Sequence, residues 1–151
     1  RDAGNSGLIT LLQRVSEARV DVGGETIAQI GPGILVFVGV QAEDDESTAQ
    51  NFVDRLLNYR VFSDAAGKMN RSLIDIEGGL LLVPQFTLAA NTRKGRRPSF
   101  TSAANPQHGN RMFDLMVDHA QAVYERVACG RFGADMQVHL VNDGPVTFIL
   151  E

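Results

Sequence analysis

Apolar and polar residues along this chain follow two different periods. After the opening run "LITLL", Val15, Ala18, Val20 and Val22 alternate with polar neighbours, the spacing of a half-buried strand. "VGGE" is a hairpin signal and "IGPG" a second turn, followed by the continuous apolar run Ile34 to Val40. The pattern predicts three strands in a meander. The period then changes. "EDDESTAQNFVDRLLNYRVF" sets acidic and hydroxyl residues at a helix start, with Phe52, Leu56 and Leu57 at helical spacing behind them. "SDAAGKMN" reads as a turn, "GGLLLVPQFTLAA" as a buried strand and "NTRKGRRPSFTSAANP" as a long polar loop. "PQHGNRMFDLMVDHAQAVYERVA" predicts a second helix, with Met112, Leu115, Met116, His119, Ala120 and Val123 on or near one face. Two last strands are expected, around Ala134 to Val141 and Val146 to Leu150.

Strands dominate and helices come singly, which predicts an α+β domain with a largely antiparallel sheet system and two main helices. With 151 residues, no linker and no repeat, one domain is expected over residues 8–151. The polar segment "RDAGNSG", residues 1–7, lacks the apolar stretch of a signal peptide and is read as a frayed terminus, an expression remnant or an extension. No apolar run approaches the roughly 18 residues of a membrane helix. A single cysteine, Cys129, excludes an internal disulfide, and a reducing compartment, the cytoplasm, is the expected location.

Candidate chemistry is sparse. GxGxxG, P-loop, HExxH and GxSxG motifs are all missing from the chain. His108, His119 and His139 have no metal-ligand spacing and are read as structural. Asp44, Asp45 and Glu46 suit a helix N-terminus better than a cation site. No metal and no cofactor are therefore expected. Two features stand out. In "TRKGRRPSF", Arg93, Lys94, Arg96 and Arg97 concentrate positive charge on a predicted loop of a chain whose net charge is −4, an arrangement suited to phosphate or to plain solvation. In "VNDGPVTFIL", Gly144-Pro145 interrupts a terminal strand, and such a break is an edge, a bulge or a bend. Only X-Pro bonds become cis readily, and they do so as a small minority, so base rates alone disfavour a cis assignment here.

"LLQRV", "YRVFSDAAGKMN", "PQFTLAANTRKGRRPSF", "GRFGADMQV" and "VNDGPVTF" together resemble the D-aminoacyl-tRNA deacylases, from about Leu8 to Glu151. One family signature, Ser-Gln-x-x-Leu, is met by Gln85 and Leu88 with Pro84 in the serine position; the other, Asn-x-x-Pro-x-x-Phe, is met by Asn142, Pro145 and Phe148. The resemblance implies a barrel-like core and hydrolysis of the ester joining a D-amino acid, or misplaced glycine, to the 3′ end of transfer RNA. It implies a homodimer in which a cis Gly144-Pro145 turn enters the partner's site, its two carbonyls taking the substrate's α-ammonium and Arg14 bracing it. Phe148 and Phe86 would shape the pocket, and Gln85, Phe86 and Thr87 would carry the catalytic segment.

An aminoacyl ester is already activated. Positioning and main-chain N–H groups aimed at the oxyanion, helped by the substrate's own 2′-hydroxyl, would suffice without a triad. Thr87 has no predicted base nearby and is assigned a positioning role rather than a nucleophilic one. Arg93, Lys94, Arg96 and Arg97 are the expected contacts to transfer-RNA phosphates. The rival readings are a non-catalytic RNA-binding domain, a dimeric scaffold or free D-amino acid binder, and a sister-type enzyme acting on an L-aminoacyl ester.

Overall fold

The computed structural model describes residues 7–151. The expectation for residues 1–7 therefore lies, except for Gly7, outside the described residues. Among the described residues, eight strands and three α-helices follow the order β1 (Ile9–Val22), β2 (Glu25–Ile30), β3 (Gly33–Gly39), α1 (Glu46–Asn58), β4 (Phe62–Ser63), β5 (Met69–Arg71), α2 (Leu73–Ile76), β6 (Gly79–Pro84), α3 (Pro106–Val123), β7 (Val127–Cys129) and β8 (Gln137–Leu150), with a 3-10 helix at Phe86–Ala89. The main sheet has six strands in the order β2-β1-β3-β6-β7, and β8 pairs with β1. The α+β class and the two long helices are as the periodicity implied.

The meander is not. β2 and β3 both pair antiparallel with β1, over Ala18–Val22 and Ile9–Val15 respectively, so they run in the same direction. The "IGPG" segment bends the chain without reversing it. Gly31 and Pro32 span the gap between the two strands, opposite Ser16 and Glu17 on β1. Proline has no N–H to give the ladder, so pairing lapses there and resumes beyond it. β3 pairs parallel with β6, and β6 with β7, because helix-bearing crossovers join them. β6 stops at Pro84, and the rest of the expected strand coils into the 3-10 helix.

β3 and β6 are buried on both faces, as their unbroken apolar runs suggest. Ile34, Val36, Val38, Leu80 and Leu82 pack against Phe52, Val53, Leu56 and Leu57 of α1 and Met112, Phe113 and Met116 of α3. Leu35, Leu81 and Val83 point the other way, into a second cluster with Val15, Ala18, Val20, Ala28 and Ile30. Strands from opposite ends of the sheet meet in that cluster, so the sheet curls toward a barrel. Each fully buried leucine contributes about 1.5–3 kcal/mol. Backbones come closest where β3 and β6 begin: a Cβ at Gly33 would lie 2.0 Å from the Gly79 carbonyl oxygen.

Caps fix the helix starts. Asp45 accepts the Thr48 N–H at 2.9 Å, and Asn105 accepts the His108 N–H at 2.8 Å with Pro106 in the first turn. The Thr48 backbone and hydroxyl hydrogen bonds hold the Asp45 carboxyl below its ordinary value. β8 is one strand of 14 residues rather than two. Its Gly-Pro break is a bulge inside a continuing ladder.

Candidate functional site

The bulge is the first half of the candidate site. Thr147 pairs with Gln13 and Asn142 with Val15, which leaves Arg14 alone opposite Asp143, Gly144, Pro145 and Val146. The extra residues are pushed out of the ladder and exposed, apart from buried Val146. The Gly144–Pro145 peptide is cis, and Gly144 has φ +133°, a backbone region that favours glycine. Arg14 donates through Nε to the Asp143 carbonyl at 3.1 Å and through Nη1 to the Val61 carbonyl at 2.8 Å. The guanidinium thereby ties the turn to the segment after α1. Asn142 accepts the Val146 N–H on Oδ1 at 3.0 Å and donates from Nδ2 to Thr147 Oγ1 at 2.9 Å; Gln13 Nε2 donates to the same oxygen at 3.3 Å. Phe148 sits edge-on to Tyr59 with ring centroids 6.2 Å apart and stays 37% exposed.

The second half lies where β6 ends. Gln85 donates its backbone N–H to the Val38 carbonyl at 2.8 Å, which anchors the segment to β3. Its side-chain amide donates to Thr87 Oγ1 at 2.6 Å. The 3-10 helix then opens, and among the described residues the N–H groups of Phe86 and Thr87 have no acceptor. Such first-turn donors are available to an oxyanion. Phe86 is 61% exposed and leans on Phe100 at 5.3 Å between centroids. Beside them opens a cavity of about 650 Å³ lined by Val38, Val83, Gln85, Phe86, Phe132 and Met136 among others. Its wall is largely apolar and aromatic, the usual character of a small-molecule pocket. Pro84 contributes to this wall as well, a ring where the signature has a hydroxyl.

The two halves are not brought together within one chain. Gly144, Pro145 and Phe148 do not line the cavity beside Gln85 and Phe86. Thr87 is exposed and also stands outside the lining. The basic loop is closer: an Asn91–Ser99 pair pins its base at 2.7 and 2.9 Å, and Phe86 and Phe100, which flank it in sequence, both line the cavity. Arg93, Lys94, Arg96 and Arg97 are all exposed, and among the described residues none of them has a carboxylate partner.

The histidines have local partners. His108 Nε2 meets the Asp44 carbonyl at 2.8 Å, His119 the Asp54 carboxylate at 3.0 Å and His139 that of Asp21 at 3.4 Å. Among the described residues no group of three or more His, Cys, Asp and Glu could hold a metal ion, and no helix is long and apolar enough to cross a membrane. Burial, then the nearby Asp114 charge, pushes the Cys129 thiol up from its ordinary value, away from reactive thiolate. Phe100, Phe113, Phe132 and Met136 carry much of the cavity wall without having been singled out in the sequence. Aromatics at "PSF" and "GRF" were the available signal.

Comparison with known proteins agrees along nearly the whole chain. D-aminoacyl-tRNA deacylases of Pseudomonas aeruginosa and Stutzerimonas stutzeri are 64% and 62% identical over 141 residues, 93% of this chain and 97% of each relative. A solved structure of a c-Myc DNA unwinding element binding protein superposes with TM-score 0.90 at 39% identity, covering 95% of this chain and 97% of the other. A probable eukaryotic D-amino acid tRNA deacylase shares the fold, with TM-score 0.84 at 16% identity over 95% of this chain and 98% of its own. The model of the D-Tyr-tRNA(Tyr) deacylase family matches residues 11–151; with the bulged Gly-Pro turn and the Gln85–Thr87 segment both in place, the chain belongs to that family.

Proposed function

We propose that this protein hydrolyses the ester between a D-amino acid, or misplaced glycine, and the 3′ end of transfer RNA, releasing free amino acid and transfer RNA. The observation that carries the reading is the near full-length family match at 64% identity to a curated D-aminoacyl-tRNA deacylase. The substrate is an intermediate of translation, so the proposed place of action is the cytoplasm.

The proposed mechanism uses both halves of the site. The ester carbonyl lies over the 3-10 helix start, where the Phe86 and Thr87 N–H groups receive the developing oxyanion. Gln85 donates to Thr87 Oγ1, which occupies a lone pair of that oxygen and suits the hydroxyl to orienting the substrate. The carbonyls of Gly144 and Pro145 take the α-ammonium, and the substrate 2′-hydroxyl assists proton transfer as water attacks. A few kcal/mol from fixed donors amounts to several powers of ten in rate. Arg93, Lys94, Arg96 and Arg97 contact phosphates near the acceptor end.

The turn and the cavity lie apart within one chain, which supports a homodimer in which each turn serves the neighbour's cavity. The test is release of amino acid from D-tyrosyl transfer RNA by the purified protein, with no metal or nucleotide added. Multiple turnovers are expected. Stoichiometric retention of the charged RNA would instead indicate a binding protein, and an unaltered substrate a scaffold.

A further inference from the structure

The exposed Gly-Pro bulge cannot be shaped by the ladder, because Arg14 alone faces its four residues. Side chains must set its path. Arg14 holds the Asp143 carbonyl. The other end is held through Thr147. Its Oγ1 accepts Asn142 Nδ2 from across the bulge at 2.9 Å and Gln13 Nε2 from the neighbouring strand at 3.3 Å. A hydroxyl has two acceptor lone pairs, so both are in use. Asn142 in turn spends its Oδ1 on the Val146 N–H at 3.0 Å. One amide thus spans the bulge from its first residue to its last, and Thr147 fixes which way that amide faces.

We propose that Thr147, with Gln13, is a positioning residue: through Asn142 it closes the bulge and so sets where Gly144 and Pro145 present their carbonyls. This rests on the reading above, in which those carbonyls receive the substrate ammonium. Thr147 is exposed, so water replaces the lost hydrogen bonds in a variant and the fold survives. Water does not fix a direction, however. A misplaced binding group costs up to about a hundredfold in rate.

The experiment measures kcat and KM for D-tyrosyl transfer RNA in Thr147→Val, Thr147→Ser, Gln13→Met and the Gln13→Met/Thr147→Val pair. Thr147→Val keeps the shape and removes the acceptor; it should lower kcat about tenfold or more with KM little changed. Thr147→Ser, which keeps the oxygen, should restore most of the rate. The double variant should lose little beyond Thr147→Val, since both changes break one network. Gly144→Ala is the control, because its Cβ would sit at φ +133° and 2.7 Å from Val146 Cγ2. A crippled Gly144→Ala beside a Thr147→Val of wild-type kcat would overturn the positioning role and leave the turn's function standing. Loss in Thr147→Val that serine fails to restore would also overturn it. Wild-type kcat in Gly144→Ala would remove both the role and the reading beneath it.

Discussion

At the residue scale, Arg93, Lys94, Arg96 and Arg97 have no carboxylate partner among the described residues. They are exposed on a loop whose base is pinned by the Asn91–Ser99 pair, and the chain around them is net negative. On the proposed function these charges meet the phosphates of transfer RNA. Each residue that neutralises a phosphate should contribute about 0.7 to 0.9 to the log–log salt slope of transfer-RNA binding, with the lower figure typical of single strands. Neutralising Arg96 and Arg97 together should therefore flatten the slope, weaken binding to all transfer RNAs alike and leave turnover at saturation nearly unchanged. An unaltered slope would mean that the loop is only solvated.

At the element scale, β8 carries the most consequence. Among the described residues it pairs with β1 on one side only, and Val141 and Ile149 on it are 50% and 65% exposed. An open strand edge with apolar side chains invites another chain. A second copy placed there would fit the proposed homodimer, in which each turn serves the neighbour's cavity. Sedimentation at micromolar concentration should give a dimer mass; a monomer would contradict the shared site. The elements also show what could be read from the residues. Helices α1 and α3 were legible because caps and apolar spacing lie within one short window. The residues of β8 suggest two strands because Gly144-Pro145 is a local break, while the partner that carries the ladder past it, β1, is more than a hundred residues away. "IGPG" suggests a reversal for the same reason: a bend and a turn share residues and differ only in what lies alongside. β7, at three residues, is too short to show any period.

At the scale of the whole molecule, the Gly-Pro turn and the Gln85–Thr87 segment were both legible as motifs. Their separation within one chain was not, and neither was the aromatic wall, which draws Phe100, Phe113 and Phe132 from three separate segments. The proposed arrangement has a stereochemical consequence. With the ammonium on the turn carbonyls and the ester over the Phe86 and Thr87 N–H groups, hydrogen and side chain have two places left on Cα. A D side chain points away from the turn, and an L side chain collides with its backbone. Glycine presents hydrogen in both places and is accepted. Discrimination by a clash is strong even for a single methyl group. The most direct measurement compares hydrolysis of D-tyrosyl, glycyl, L-alanyl and L-tyrosyl transfer RNA at equal enzyme concentration. The proposed carbonyl clamp predicts cleavage of the D-tyrosyl and glycyl esters and sparing of both L esters. Comparable cleavage of L-alanyl and D-tyrosyl transfer RNA would contradict it, as would an enzyme that cuts D-tyrosine and spares glycine.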